Sequence, residues 1–574
     1  MEVSPETLYD SAERLFQFSK KRLAADLEST LDCIWEAALN RFYYQFPIDV
    51  SLNIIVKWIE PNDPINYGRG DLSHAIKTAN LFQEAFPNAH VYLINAFKKG
   101  TARVSYQSKK AEIVELPSHS RRTEFIIGLL SPEILLDAIC EWYPDVPCVM
   151  FDVASPKVSL WPFSHDHLEG KKEPRLLSCV HIDEYNGQRT LKRGFVRSGM
   201  NHMWVSCGIG LDQKGFPTIG IHLKPEMAYQ SHDFSTMIET LEDKDLAFEL
   251  NSGSLYADTT FYFSYTSAQD TIQWARFVHL VLAYEDRLDG EHGVNLLLLT
   301  SVEKTQKILS HWKSALQLSW KKSSFREVQL SYSRDGERIW EDLVLNREGK
   351  RYIRVIEWTK RVPHQDMINL MKGSGTVLQV TGDQSWAEAV SLRNRVIFYQ
   401  IMPWKQDLLG EMAAIAEHLY GEGSSLAQFL GYTNEKHSQS DIGKTWMSEH
   451  IGELLHSGDL VEKHCGFVDC LHSEYGIRPW LFGFVKRLAS HEKDCDLERR
   501  EELAYDNWAY KQKPHLYGKV LAHHLQKLAG VTYAETENKR CGMIGVEVSS
   551  TRRIFFDSVK EMFNQHIPLN EDAG

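Results

Sequence analysis

The chain has 574 residues, of which 43% are hydrophobic, with a formal net charge of -13 and a pI of about 6.0. That length suits two or three folded domains, and the acidic balance excludes a bulk nucleic-acid binder, whose surface has to offset phosphate charge. Apolar runs such as "GVNLLLLT" (293–300) fall far short of the ~20 residues that cross a bilayer, which excludes a transmembrane segment.

The opening residues are acidic and amphipathic and do not have the build of a secretory signal. Nine cysteines are an odd number and include no CxxC pair, which fits free thiols and a cytoplasmic setting. Cys465, Cys470 and His472 lie close together, yet C-x4-C-x-H lacks a second ligand pair at zinc-site spacing, so no metal is expected.

In chain order, Ser4-Pro5-Glu6 reads as an N-cap, a first-turn proline and an acid. Apolar residues from Leu8 to Phe42 then recur at helical spacing, predicting a helical extension over residues 1–48. "SLNIIVKWI" (51–59) predicts a strand and "EPNDPINYGRGDLS" (60–73) a loop. "HAIKTANLFQEAF" (74–86) predicts a helix with Ala75, Ile76, Ala79, Leu81 or Phe82, and Phe86 inward, and "AHVYLINAF" (89–97) a second strand. Strand, loop, helix and strand make a βαβ unit, the element of a parallel sheet. Strands at 124–130, 147–154, 202–211 and 217–223, with a helix at 131–142, continue the series.

A second alternation begins near residue 260. Strands are expected at 259–267, 294–300, 350–358, 375–383 and 395–404, and helices at 268–285, 302–316, 364–374 and 384–393. Past 405 the pattern is helical and charged. The expected organisation is α/β: two facing Rossmann-like domains at 49–255 and 256–410, with helical extensions at 1–48 and 411–574. The cleft between two such domains is the default ligand site.

Three polar stretches interrupt this framework. In "YGRGDLSH" (67–74), Gly68, Arg69 and Gly70 form a tight turn after the first strand, with Asp71 and His74 at the start of a helix. G-x-G-D is not the dinucleotide fingerprint, which argues against a nicotinamide cofactor, and Asp71 or Ser73 would serve equally as an N-cap. In "VLQVTGDQSWAEAV" (377–390), Ser385-x-x-Glu388 fits a capping box. That leaves Thr381, Gly382, Asp383 and Gln384 at a strand exit before a helix N-terminus, where α/β sheets hold anions. "YFSYTSAQD" (262–270) adds Ser264, Tyr265, Thr266 and Ser267 at another strand exit, with a plain hydroxyl cap as the alternative. Arg351, Arg354, Lys360 and Arg361 place positive charge nearby that could balance phosphates, although exposed basic residues are most simply solvated.

Together, "INYGRGDLSHAIKTANLF" and "GTVLQVTGDQSWAEAVSLRNRVIFYQIMPWKQDLL" resemble the GT-B superfamily of glycosyltransferases, over about residues 50–410. The resemblance implies an acceptor-side domain first and a nucleotide-sugar domain second. Gly382, Asp383, Gln384 and Ser385 would surround the diphosphate or sugar, and Glu388 the ribose. Gly68, Gly70, Asp71 and His74 would face the reacting centre. The retaining pattern of two glutamates eight apart is absent at Glu388: eight before it is Val380 and eight after it is Val396. The resemblance therefore implies an inverting hexosyl- or N-acetylhexosaminyl-transferase using a UDP- or GDP-sugar as co-substrate, with Asp71 or His74 as base. No metal is implied, since no DxD stands at a strand exit. The extensions suggest an effector-type bacterial transferase acting on a protein. Two alternatives stay open: an epimerase or hydrolase of sugar nucleotides, and an interaction protein that keeps the fold.

Overall fold

The computed structural model describes residues 37, 39–41, 43–58, 70–95, 112–115, 147–153, 176–186, 194–195, 201–212, 218–252, 259–266, 271–290, 292–300, 324–334, 337–402, 405–434 and 445–493. The elements expected at 1–36, 124–142 and 302–316, and those past 493, lie outside these residues. The described chain forms two units, 1–221 with 476–574, and 222–475.

The first unit holds β1 (Asn53–Trp58), α1 (Gly70–Ala85), β2 (His90–Asn95), β3 (Glu112–Glu115), β4 (Cys148–Val153), β5 (Leu176–Asp183), β6 (Gly194–Phe195) and β7 (Asn201–Ser206). They form a seven-stranded sheet in the order β3-β2-β1-β4-β5-β7-β6. Every pairing is parallel except β6 with β7. From β1 the chain winds outward to β2 and β3, then returns to β1's other side for β4. Ala75, Ala79, Phe82 and Phe86 of α1 and the residue after it are buried, and Phe82 lies 4.6 Å from Phe151 of β4, ring centre to ring centre. Ile76 and Leu81 are only half-buried, so the inward stripe follows Phe82.

The second unit repeats this plan. It begins with α2 (Phe234–Thr240) and α3 (Lys244–Asn251), followed by β8 (Thr259–Tyr265), α4 (Thr271–Glu285) and β9 (Gly293–Leu299). Next come β10 (Phe325–Arg334), β11 (Glu337–Val344), β12 (Arg351–Trp358), α5 (His364–Gly373), β13 (Val377–Thr381), α6 (Asp383–Leu392) and β14 (Val396–Gln400). The strand order is β11-β10-β12-β9-β8-β13-β14, parallel apart from the β10–β11 hairpin. Every residue of β9, β13 and β14 is buried, as strands covered on both faces must be. Four helices follow: α7 (Gln406–Tyr420), α8 (Ser425–Asn434), α9 (Thr445–His456) and α10 (Asp459–Glu474). The last described helix, α11 (Ile477–Lys493), belongs to the first unit.

Residues 222–252 were expected in the first domain, but they pack in the second unit. The reason is a set of bonds from backbone N–H groups of this segment to α5 and α6. Lys224 donates to Ser391 Oγ at 2.9 Å, Tyr229 to the Leu392 carbonyl at 2.8 Å and His232 to the Lys372 carbonyl at 3.1 Å. The fully buried Asp366 accepts from the backbones of Glu242 and Asp243, both at 2.8 Å. Likewise α7 to α10 join the second unit. The strand expected at 217–223 is absent among its described residues, where Ile221 makes only an isolated bridge to Gly476.

Two arginines expected as solvated charge are buried instead. Arg351 donates to Glu285 Oε2 at 2.5 Å; His292 Nε2 lies 2.7 Å from the same oxygen, and the Tyr262 hydroxyl donates to the other. Burial, with Glu285 second, holds the Tyr262 hydroxyl well above its ordinary pKa. Arg354 stacks 4.6 Å from the Trp340 ring and donates to the Glu249 carbonyl at 2.7 Å, and burial lowers its pKa to about 10. Neither is available to a phosphate. Lys360 is exposed and pairs with Asp245 at 3.1 Å.

Candidate active site

In a Rossmann-like sheet the ligand crevice opens beyond the carboxyl ends of the two neighbouring strands whose crossovers run to opposite sides. In the second unit these are β8 and β13, paired through Gln379 and Ser264. Their carboxyl ends are Tyr265 and Thr381. Both polar exits picked out in the second half of the sequence therefore meet at one switch point. Gln379 holds them there: fully buried, it accepts from Ser264 Oγ at 2.6 Å and donates to the Gln273 carbonyl of α4 at 3.2 Å.

Gly382 is the N-cap of α6, at φ 81° and ψ 148°, a conformation essentially restricted to glycine. With no side chain, it supplies no capping bond. A Cβ placed on it would meet no atom of the described residues within 4 Å, so none of them fills the space in front of the turn. The first intrahelical bond of α6 runs from Trp386 N to the Gly382 carbonyl at 3.0 Å. The N–H groups of Asp383, Gln384 and Ser385 precede it, the arrangement in which helix ends take anions.

The capping box expected at Ser385 and Glu388 does not form. Ser385 is the third residue of α6, and Glu388 lies a turn and a half in, buried, with Oε1 3.2 Å from His364 Nε2. The Thr381 side chain is committed to the Gln400 carbonyl at 3.1 Å. Thr266, just past β8, is buried and donates its N–H to the Leu299 carbonyl at 3.0 Å. Tyr265 is half-buried, and burial raises its hydroxyl pKa. Ser267 lies outside the described residues.

Asp383 carries an unexpected partner. Lys405, just past β14, places Nζ 2.8 Å from Asp383 Oδ2, and the Tyr399 hydroxyl is 3.5 Å from Oδ1. Lys405 is 5% exposed, so this is a largely buried ion pair one residue from the Gly382 turn.

The chain is similar to a trehalose-6-phosphate protein of E. coli bound with UDP-2-fluoro glucose, at 11% identity over 76% of this chain and 99% of that one, TM-score 0.37. It is similar to the α,α-trehalose 6-phosphate synthase of Burkholderia multivorans at 11% identity, over 77% and 99%, TM-score 0.37. A glycosyltransferase from Rickettsia africae matches at 10% identity, over 76% and 98%, TM-score 0.36. No protein-family model and no curated protein matches the chain.

In the first unit the switch point lies between β1 and β4, ending at Trp58 and Val153. The loop after β1 leads into α1, so Asp71 and Ser73 are helical residues rather than N-caps. Gly68 and Arg69 lie outside the described residues, and Gly70 opens the helix. His74 is buried, its Nε2 3.4 Å from Cys207 Sγ. Cys465, Cys470 and His472 sit on α10, where His472 Nε2 contacts the Val390 carbonyl at 3.1 Å, and no metal-holding group of three or more His, Cys, Asp or Glu occurs among the described residues. No described helix is long and apolar enough to cross a membrane.

Proposed function

We propose that this chain is a glycosyltransferase whose nucleotide diphosphate sugar binds at the switch point of the second unit. The observation that carries the proposal is Gly382: a glycine-only turn with no side-chain cap of its own and no described residue within 4 Å of a Cβ placed on it, at the crossover where β8 and β13 diverge. The backbone N–H groups at the start of α6 would hold the diphosphate and stabilise it as it leaves, because the helix dipole favours negative charge there.

The acceptor falls to the first unit, whose own switch point leads into Asp71. We assign Asp71 the role of general base in preference to His74, which is buried against Cys207. Asp71 takes the proton from the acceptor hydroxyl and the acceptor oxygen attacks the anomeric carbon. The bond from that carbon to the diphosphate oxygen breaks, with inversion. No glutamate stands eight positions from Glu388, which supports inversion, and the acceptor class we favour is a protein.

The test is a thermal-shift panel of UDP-, GDP-, ADP- and dTDP-sugars, followed by transfer assays with NMR assignment of the product anomer. At least one sugar nucleotide is expected to raise the unfolding temperature, because a ligand bound only by the folded state stabilises it. Asp71→Ala is expected to keep that shift and to lose transfer by roughly a hundredfold or more. No shift with any donor, or full transfer by Asp71→Ala, overturns the assignment. Free sugar released without an acceptor would show a hydrolase.

A further inference from the structure

Three segments of the second unit meet at the amino ends of β13 and β14, the opposite end of the sheet from Thr381 and Gly382. They are residues 224–232, the end of α5, and the turn at 393–395 that leads from α6 into β14. The Lys372 carbonyl joins them, accepting from His232 N at 3.1 Å and from Arg395 Nη2 at 3.2 Å. Arg395 also donates to the carbonyls of Ser374 at 2.6 Å and Asn394 at 2.9 Å, which leaves two of a guanidinium's five N–H groups. Among the described residues, no carboxylate pairs with Lys224, Lys372 or Arg395. Asp233 is committed to capping α2 through Thr236 N at 2.7 Å, Asp469 pairs with Arg393 at 3.1 Å, and Glu226 is exposed. Burial and then Lys224 hold the Lys372 ammonium below its ordinary pKa, and burial and then Lys372 do the same to His232. The C-termini of α5 and α6, at roughly half a negative charge each, offset one of the three cations and leave about two. Tyr229 stands at the same edge, at φ 59°, 62% exposed and with its ring 6.0 Å from the Arg393 guanidinium. A tyrosine in that backbone conformation costs of order 1 kcal/mol, and this ring recovers little of it by burial. In the adjoining turn, Arg393 Nε and Asn394 Oδ1 are buried with no hydrogen-bond partner among the described residues.

We infer that this edge is a second binding site, one for the phosphate monoester of a sugar. It stands independently of the switch-point site. Lys224 and Lys372 take the phosphate, Arg395 adds the third charge, and Tyr229 receives one face of the sugar ring. A monoester carries about -1.5 to -2 near neutral pH, which matches the charge left over at this edge. Sugar hydroxyls donate to Asn394, whose half-buried side chain has room to turn outward. No covalent bond changes. Were the two lysines present only to complement the ends of α5 and α6, they would set stability and bind no anion.

Isothermal titration of the full chain with mannose 6-phosphate, inorganic phosphate and mannose, at fixed ionic strength, tests the assignment. Mannose 6-phosphate is expected to bind, inorganic phosphate to bind more weakly, and mannose not to bind. Lys224→Met and Lys372→Met are each expected to weaken the sugar phosphate by about tenfold, the scale of a hydrogen bond to a charged group. Tyr229→Gly relaxes the backbone and removes the ring. It is expected to keep or raise the unfolding temperature, to weaken mannose 6-phosphate several-fold and to leave inorganic phosphate unchanged. Circular dichroism and unfolding curves report whether each variant folds, and Tyr229→Gly decides the point if a lysine variant does not. No binding of either phosphate by the wild-type chain overturns the site. So does unchanged affinity in the Lys224→Met, Lys372→Met double variant, which places the ester elsewhere. Capture of the chain by phosphatidic acid vesicles, without binding of either soluble phosphate, overturns the sugar and shows a lipid headgroup instead.

Discussion

Ile397 of the edge strand β14 donates its backbone N–H to Nε2 of His464 on α10, at 3.2 Å. An imidazole accepts there only while uncharged, and burial pushes its pKa down from 6.5 to about 3. His279, buried in α4, is lowered to about 4 for the same reason. Because the folded-state pKa lies below the unfolded one, the unfolded chain binds more protons as pH falls past 6.5. Stability is therefore fully present above that value and is lost progressively toward pH 3. Between about pH 7.5 and about pH 5.5, His464 contributes a loss of about 1.4 kcal/mol, one pKa unit's worth. His464→Gln keeps an acceptor for Ile397 and removes the titration. Urea unfolding at the two pH values is expected to show a loss smaller than wild type by about that amount, and an equal loss would refute it. At this scale the turn at Gly382 was legible in the sequence, because a glycine and an acid after an apolar run mark a strand exit before a helix. Ser385 and Glu388 misled, since the capping pattern fits whenever a helix start is placed three residues late. Lys405 gave no signal, as its pairing with Asp383 depends on how β14 returns beside α6.

Buried parallel strands are apolar runs, so β1, β8, β9, β12, β13 and β14 could be read directly. The β10–β11 hairpin was missed although Asp335-Gly336 between its strands is a strong hairpin signal, because the polar alternation of 325–344 was outweighed by the surrounding βα pattern. Packing between elements set a tighter constraint, which shows in α11. A Cβ added to Gly483 would lie 1.6 Å from the Asn40 carbonyl oxygen, so α11 crosses the segment at residues 37–44 in backbone contact. Lys486, one turn on, donates to the carbonyls of Tyr44 and Phe46 at 2.8 and 2.7 Å, closing the C-terminal end of that segment. Gly483→Ala adds helix propensity of about 1 kcal/mol, yet the clash is with backbone, which cannot rotate away. The expected net result is destabilisation by about 2 kcal/mol or more, read as a lower denaturant midpoint at unchanged slope. A variant as stable as wild type would mean the two helices do not meet at Gly483.

A unit built from two separated stretches of chain cannot be seen in a linear pattern, which is why 411–574 read as a single helical extension. Where a helix packs is decided by the side chains it meets, and those of α11 meet the first sheet's covering layer. Phe482 lies 6.1 Å from Phe82 and 5.4 Å from Phe86, ring centre to ring centre. Phe484 lies 6.2 Å from Phe151 of β4 and stacks on Trp480 at 5.3 Å. These rings are mostly buried, and losing one such aromatic side chain from a core costs about 3–5 kcal/mol. Losing the whole helix removes several and exposes the face of α1 and β4 beneath, more than the ~5–15 kcal/mol that stabilises an ordinary domain can absorb. Ending the chain after Tyr475 is therefore expected to unfold the first unit, whereas ending it after Lys493 keeps α11 in place. Limited proteolysis with mass spectrometry distinguishes the two. The shorter chain should be cut within β1, β4 and β5, and the longer one should protect those strands. Equal protection of the two chains would show that α11 contributes no more than surface packing.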